Sequence, residues 1–170
     1  GLFSRSYGLF STINYSTDRI KAHAGAHVNY FTRRDNDGLR ATPSVQAFEN
    51  TSNKNSASAF AKIQYEAIPQ TLELFADMQL RRAGFEYDHG ENFRELPEVE
   101  PVDWLFFNPK IGATYKVTDR LWVYASAGRT RREPTRADMF GGMFNLDSAG
   151  VADFGNLEQL DPETVNNFET

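Results

Sequence analysis

An all-β fold, an antiparallel up-and-down meander belonging to a transmembrane β-barrel, is what this sequence predicts. Two observations predict it: long strands with one apolar face, and short turns that alternate with long loops. The clearest hairpin runs from Phe107 to Arg129. In its first strand Phe107, Pro109, Ile111, Ala113, Tyr115 and Val117 share one face, and Asn108, Lys110, Gly112, Thr114 and Lys116 the other. Leu121, Val123, Ala125 and Ala127 continue the apolar face in the second strand. Side chains of a strand point alternately to opposite sides, so the hairpin has one greasy and one mostly polar face. The alternation lasts about eleven residues, close to the ~9–11 that a tilted strand needs to cross a bilayer; soluble strands are nearer ~5–6.

Two further hairpins follow the same plan. Leu9, Ser11, Ile13 and Tyr15 lead into a turn at Ser16 to Arg19, and Ile20, Ala22, Ala24, Ala26, Val28 and Tyr30 lead out. Ala59, Ala61, Ile63 and Tyr65 lead into a turn at Ala67 to Gln70, and Leu72, Leu74, Ala76, Met78 and Leu80 lead out. The third turn spans Val117 to Arg120. The intervening positions are largely polar, and Lys21, His23, His27, Arg81 and Lys110 are expected to face a hydrated lumen. Between the hairpins lie stretches expected to be long loops: Thr32 to Asn55, Gly84 to Asp103, and Thr130 to Pro162. Short turns at one end and long loops at the other is the asymmetry of outer-membrane barrels. Tyr15, Tyr65 and Tyr115 stand before short turns on the apolar face, and Tyr30 and Phe107 at the far strand ends. An aromatic ring with a wet tip suits a membrane boundary, so these five are expected to form the two girdles.

Composition fits this reading and removes others. The net charge is −5, hydrophobic residues are 40%, and the mean hydropathy is −0.55. No apolar run reaches the ~18 residues of a transmembrane helix, but polar lumen positions dilute hydropathy in a barrel. An acidic chain argues against a nucleic-acid partner. The absence of cysteine excludes disulfides, thiolate metal sites and thiol nucleophiles. No G-x-S-x-G, H-E-x-x-H or P-loop occurs, so no enzyme and no cofactor is expected. Gly1 and Thr170 read as cuts, and all 170 residues as part of one barrel domain: six complete strands and the start of a seventh. An open, curved sheet is expected for them in isolation, with lipid and the rest of the barrel as partners, because open edges cannot stand unpaired in hydrocarbon.

The candidate ligand residues fall near the loops. Arg129, Arg131, Arg132 and Arg136 cluster after the sixth strand, where guanidinium forks suit carboxylates and phosphates; pairing with Glu133 or Asp138 is the plainer reading. Phe85, Tyr87 and Phe93 are rings able to stack on a ligand or to pack their own loop. Asp88, Glu91, Glu95, Glu98, Glu100 and Asp103 make an acidic stretch without the spacing of a calcium loop. His23 and His27 would be about 13 Å apart along one strand face, too far to share a metal.

Three pieces of the chain resemble the TonB-dependent outer-membrane receptors. They are FNPKIGATYKVTD from Phe107 to Asp119, VYASAGRTRREPT from Val123 to Thr135, and LDPETVNNFE from Leu160 to Glu169. Their order and spacing match, with departures at Ala127, Thr130, Arg131 and Glu133 that make the loop more charged. The resemblance implies a barrel of about 22 strands with a plugged lumen. It also implies active import of a scarce small molecule, with a ferric siderophore or similar iron chelate as the expected ligand. Plug and coupling to a TonB-type protein would lie outside these residues. A passive channel or adhesin barrel, and a soluble β-sandwich, are the alternatives.

Overall fold

The computed structural model describes residues 1–39, 42–90, 98–142 and 160–170, with side chains at 37–39 and 42–48 set aside. Within these the chain makes one open, seven-stranded sheet in sequence order. The strands are β1 (Leu2–Ser16), β2 (Ile20–Leu39), β3 (Thr42–Ile68), β4 (Leu72–Asp88), β5 (Val99–Thr118), β6 (Leu121–Arg132) and β7 (Glu163–Glu169). Every neighbouring pair is antiparallel. One helical turn, α1 (Arg136–Met139), stands between β6 and β7.

The register carries the apolar face across the sheet without a break. Ile13 faces Ala24, which faces Ala61, which faces Met78, which faces Pro109. One row nearer the turns, Tyr15, Ala22, Ile63, Ala76, Ile111 and Ala127 line up, ending at Phe168. Among the described residues nothing covers this face: Leu9 is 73% and Ile111 61% exposed. A water-facing sheet would bury such residues, whereas a lipid-facing one presents them. Toward the far end the same face turns polar. Arg82 and Asp103 form an exposed ion pair there (2.9 Å), and Arg34 pairs with Glu49 (3.0 Å).

The opposite face is polar, and Lys21, His23, His27, Arg81 and Lys110 all lie on it. Two glycines there make room for neighbouring rings. A Cβ at Gly25 would come within 2.7 Å of the Phe60 ring, and one at Gly112 within 2.5 Å of the Phe75 ring. Phe75 lies over Gly112 and stacks on Tyr124 (6.1 Å between centroids). Aromatic cover of a strand glycine restores the packing that the missing side chain forgoes.

Strand lengths differ from the sequence expectation at the far end. Thr32 to Asn55 is not an irregular loop: β2 and β3 stay paired through most of it, with register shifts near Gly38. β4 runs on to Asp88, and β5 begins at Val99, inside the stretch expected to be a loop from Gly84 to Asp103. Backbone pairing needs no apolar face. Once the outward face is no longer apolar the alternation fades while the ladder goes on, so the strands outrun their pattern. At the near end the turns are tight. The second falls at Pro69 to Thr71, slightly later than expected, with Gln70 at φ 55°. Ion pairing of Lys116 with Asp119 (2.7 Å) holds the third.

Pro109 sits within β5, still paired to Met78 of β4 but one residue beyond Lys110–Gly128, the last β5–β6 pair on that side. The Asn108 side chain spans the gap. Its Oδ1 accepts the Arg131 N–H (2.8 Å), and its Nδ2 donates to the Arg131 carbonyl (3.4 Å) and to Gln79 (3.0 Å). A side-chain amide carries one donor and one acceptor group, as a backbone unit does, so Asn108 continues the ladder where the backbones part.

Candidate ligand-binding site

The chain's small core lies on the polar face at the far end. Phe85 and Tyr87 of β4, Val99 and Val102 of β5, and Met139 and Phe140 bury one another. β5 contributes two residues of unlike parity because of a bulge: Phe85 opposes Val102, but Tyr87 opposes Val99, one residue further than strict pairing allows. A bulge re-aims side chains in this way, and both valines come to rest under α1. Phe140 seals the cluster, its ring edge-on to Tyr87 (5.0 Å) and Phe85 (6.1 Å).

α1 is held by its own cap. Thr135 Oγ1 accepts the Asp138 N–H (3.3 Å), and Asp138 Oδ2 accepts the Thr135 N–H (2.9 Å). The Thr135 hydroxyl also donates to Asp138 Oδ2 (2.7 Å), and this bond, with that from the Thr135 N–H, keeps the Asp138 carboxyl below its ordinary range. Arg136 then crosses the sheet. It lies over the rings of Phe140 (5.4 Å) and Tyr87 (5.7 Å), donates to Ser52 Oγ (3.3 Å), and comes within 3.6 Å of Asp35. Burial, with Arg33 close by, lowers its pKa.

Beside α1 lies a cleft of about 450 Å³, within the range of small-molecule sites. Its floor and walls include Phe31, Phe85, Trp104, Pro134 and Met139. Among the described residues its charged lining is Arg33, Lys54, Arg81, Arg132 and Arg136 with a single acid, Glu133. Glu133 is 8% exposed and sits between two cations. Arg81 grips it with both Nη atoms (2.6 and 2.8 Å), and Lys54 Nζ reaches Oε1 at 2.6 Å. Burial alone would push its pKa up, but hydrogen bonds from Arg81 and Lys54 prevail and hold it at about 2.

The predicted ligand residues are dispersed by this geometry. Arg132 and Arg136 line the cleft, Arg132 also pairing with Glu163 of β7. Arg129 lies outside it, donating to Asn166 Oδ1 (3.0 Å), and the Arg131 guanidinium stands 6.0 Å over the Phe106 ring. Phe85 and Tyr87 are strand residues in the core, not loop residues; Phe85 contributes to the cleft floor and Tyr87 supports Arg136. Phe93, Glu91 and Glu95 lie outside the described residues. His23 and His27 contact Asn14 (2.5 Å) and Ser58 (2.8 Å) respectively. Among the described residues no three His, Asp or Glu side chains converge on a metal position. Sequence reasoning missed Arg33, Lys54 and Trp104. Lys54 had a signal: stepping back by twos from Lys62 keeps it on the polar face of β3.

A meander with one apolar face and one polar face, bearing a walled cationic cleft beyond the apolar band, defines the wall of a membrane-type β-barrel. Residues 2–170 match the family model described as TonB dependent receptor-like, beta-barrel, and the chain belongs to that family. Among solved structures it is similar to the copper transporter OprC, with a TM-score of 0.74 and 13% identity over 98% of this chain. It spans 26% of that protein's length, and at this identity the likeness is one of fold. No curated protein matches it significantly.

Proposed function

We propose that the chain is wall and outer mouth of an outer-membrane importer that takes up a scarce nutrient as an anionic metal chelate. A ferric siderophore is the first such ligand to test. Lipid meets the apolar face, with Tyr15, Tyr65 and Tyr115 at one rim and Tyr30 and Phe107 at the other. The polar face, with Lys21, His23, His27, Arg81 and Lys110, looks onto lumen and plug. A TonB-type protein supplies the pull through parts beyond this segment. The cleft carries the reading: five cations line it at the barrel's far end, Arg81 and Lys54 holding Glu133 while Arg33 and Arg132 pair with Asp35 and Glu163. Guanidinium forks recognise carboxylate and phosphate oxygens with two parallel bonds, as Arg81 already does with Glu133.

Uptake of radioactive iron, presented as ferric chelates, tests it in cells making the full-length receptor. Uptake that needs both the receptor and an energised inner membrane is the expected result. Uptake that persists after the proton gradient is collapsed would make the barrel a passive channel. The fold likeness to a copper transporter favours running radioactive copper in parallel; energised copper uptake without iron uptake would change the metal and keep the mechanism.

A further inference from the structure

We propose that Arg81 and Lys54 form a subsite for a carboxylate of the ligand, and that Glu133 occupies it as a built-in stand-in which the ligand displaces. This rests on reading the cleft as the ligand site. The two cations and the acid differ in how they are held. Lys54 and Arg81 project from β3 and β4, each strand paired on both sides. Glu133 follows the last residue of β6, outside the ladder, and reaches Arg81 across 52 positions of sequence. If the carboxylate withdraws, the strands keep both cations where they are.

The contact has the form of ligand recognition. Arg81 holds the two Glu133 oxygens through two parallel bonds, and Lys54 adds a third contact to Oε1. Another carboxylate can make the same three contacts. Two half-buried cations without an anion would be costly, so the subsite is filled most of the time, by Glu133 or by its replacement. Exchange of one carboxylate for another is close to balanced at the subsite itself. Net affinity then comes from what else the ligand touches, including Trp104 and Phe31 in the same cleft. A ligand without a carboxylate or similar anion gains nothing by evicting Glu133, so the device discriminates in favour of acidic chelates.

Citrate serves as the probe, titrated by calorimetry into the full-length receptor in detergent against chloride at matched ionic strength. A stand-in that fills the subsite nine-tenths of the time weakens apparent affinity about tenfold. Glu133→Gln, which keeps the shape and removes the charge, is therefore expected to bind citrate at least about tenfold more tightly than wild type. Glu133→Asp, one methylene shorter, should fall between, and Arg81→Ala should abolish binding. Should Glu133→Gln fail to fold, Glu133→Asp decides. Unchanged or weaker citrate binding in these variants, or none in any of them, would overturn the subsite and leave Glu133 a structural brace. Citrate exchange in a receptor that imports no chelate would instead overturn the importer reading alone.

Discussion

At the scale of single residues, Glu133 shows how surroundings decide a carboxylate's behaviour. It is buried, yet two cations keep it ionised to about pH 2, against an ordinary value of 4.5. A lowered folded-state pKa stabilises the folded arrangement above the unfolded pKa, and that contribution disappears as pH falls through the folded one. Between pH 4.5 and about 2 the hold on Glu133 should therefore be lost. Trp104 lines the same cleft and reports the change. The wild-type fluorescence signal, less that of a Trp104→Phe variant, should move with a midpoint near pH 2, and the same difference measured in a Glu133→Gln background should stay flat. A midpoint near 4.5 would mean that Glu133 is not gripped in solution. None of this is visible in the local sequence: Glu133 lies among Arg131, Arg132 and Arg136, which suggest local pairing, but its partners come from β3 and β4.

At the scale of elements, legibility followed the solvent. Where one face meets lipid and the other water, alternation is strong, and the hairpins around Asp18, Pro69 and Asp119 could be placed to within a residue or two. Beyond the apolar band the positions that are buried are themselves polar, Asp35, Asn50 and Ser52 among them, so Thr32 to Asn55 carries no apolar alternation although β2 and β3 remain paired through most of it. The cluster of Phe85, Tyr87, Val99 and Val102 escaped notice for a related reason. Its burial depends on α1, which comes from a distant part of the chain, and on a bulge that no periodicity announces. Proline lacks the N–H that a ladder needs, so Pro109 marks an irregularity in β5 by its type alone, but not the way it is resolved. Asn108 continues the ladder to Arg131 through its side chain, just where the β5–β6 backbone pairing ends. Asn108→Ala removes an acceptor from the Arg131 N–H, worth about 1–1.5 kcal/mol. Amide exchange at Arg131 should accelerate about tenfold, with no change at Ala113 and Ala125, which pair further down the same hairpin. Equal acceleration throughout the hairpin would mean that Asn108 acts on global stability and not as a local link.

At the scale of the whole molecule, the sheet is built to lie between two unlike media. Its compact cluster sits at one end, on the polar face, while the long rows of Leu, Ile, Val and Ala on the other face have no cover among the described residues. The apolar face therefore stabilises the fold only when lipid covers it, and the polar face suits a hydrated surrounding. Ile111 discriminates this from a water-soluble sandwich. It stands in the row from Tyr15 to Phe168, well inside the apolar band, and is 61% exposed. Arginine there must be stripped of water in a bilayer, at about 2–4 kcal/mol near the midplane, but would cost almost nothing on a hydrated surface. The full-length receptor carrying Ile111→Arg should refold into vesicles with a stability lower by that amount, read from urea titrations of the inserted barrel. The companion variant Thr114→Arg, on the polar face of the same strand, should lose much less. Equal losses at the two positions would mean that lipid does not meet the face bearing Ile111, and the barrel wall would have to be rebuilt with another face outward.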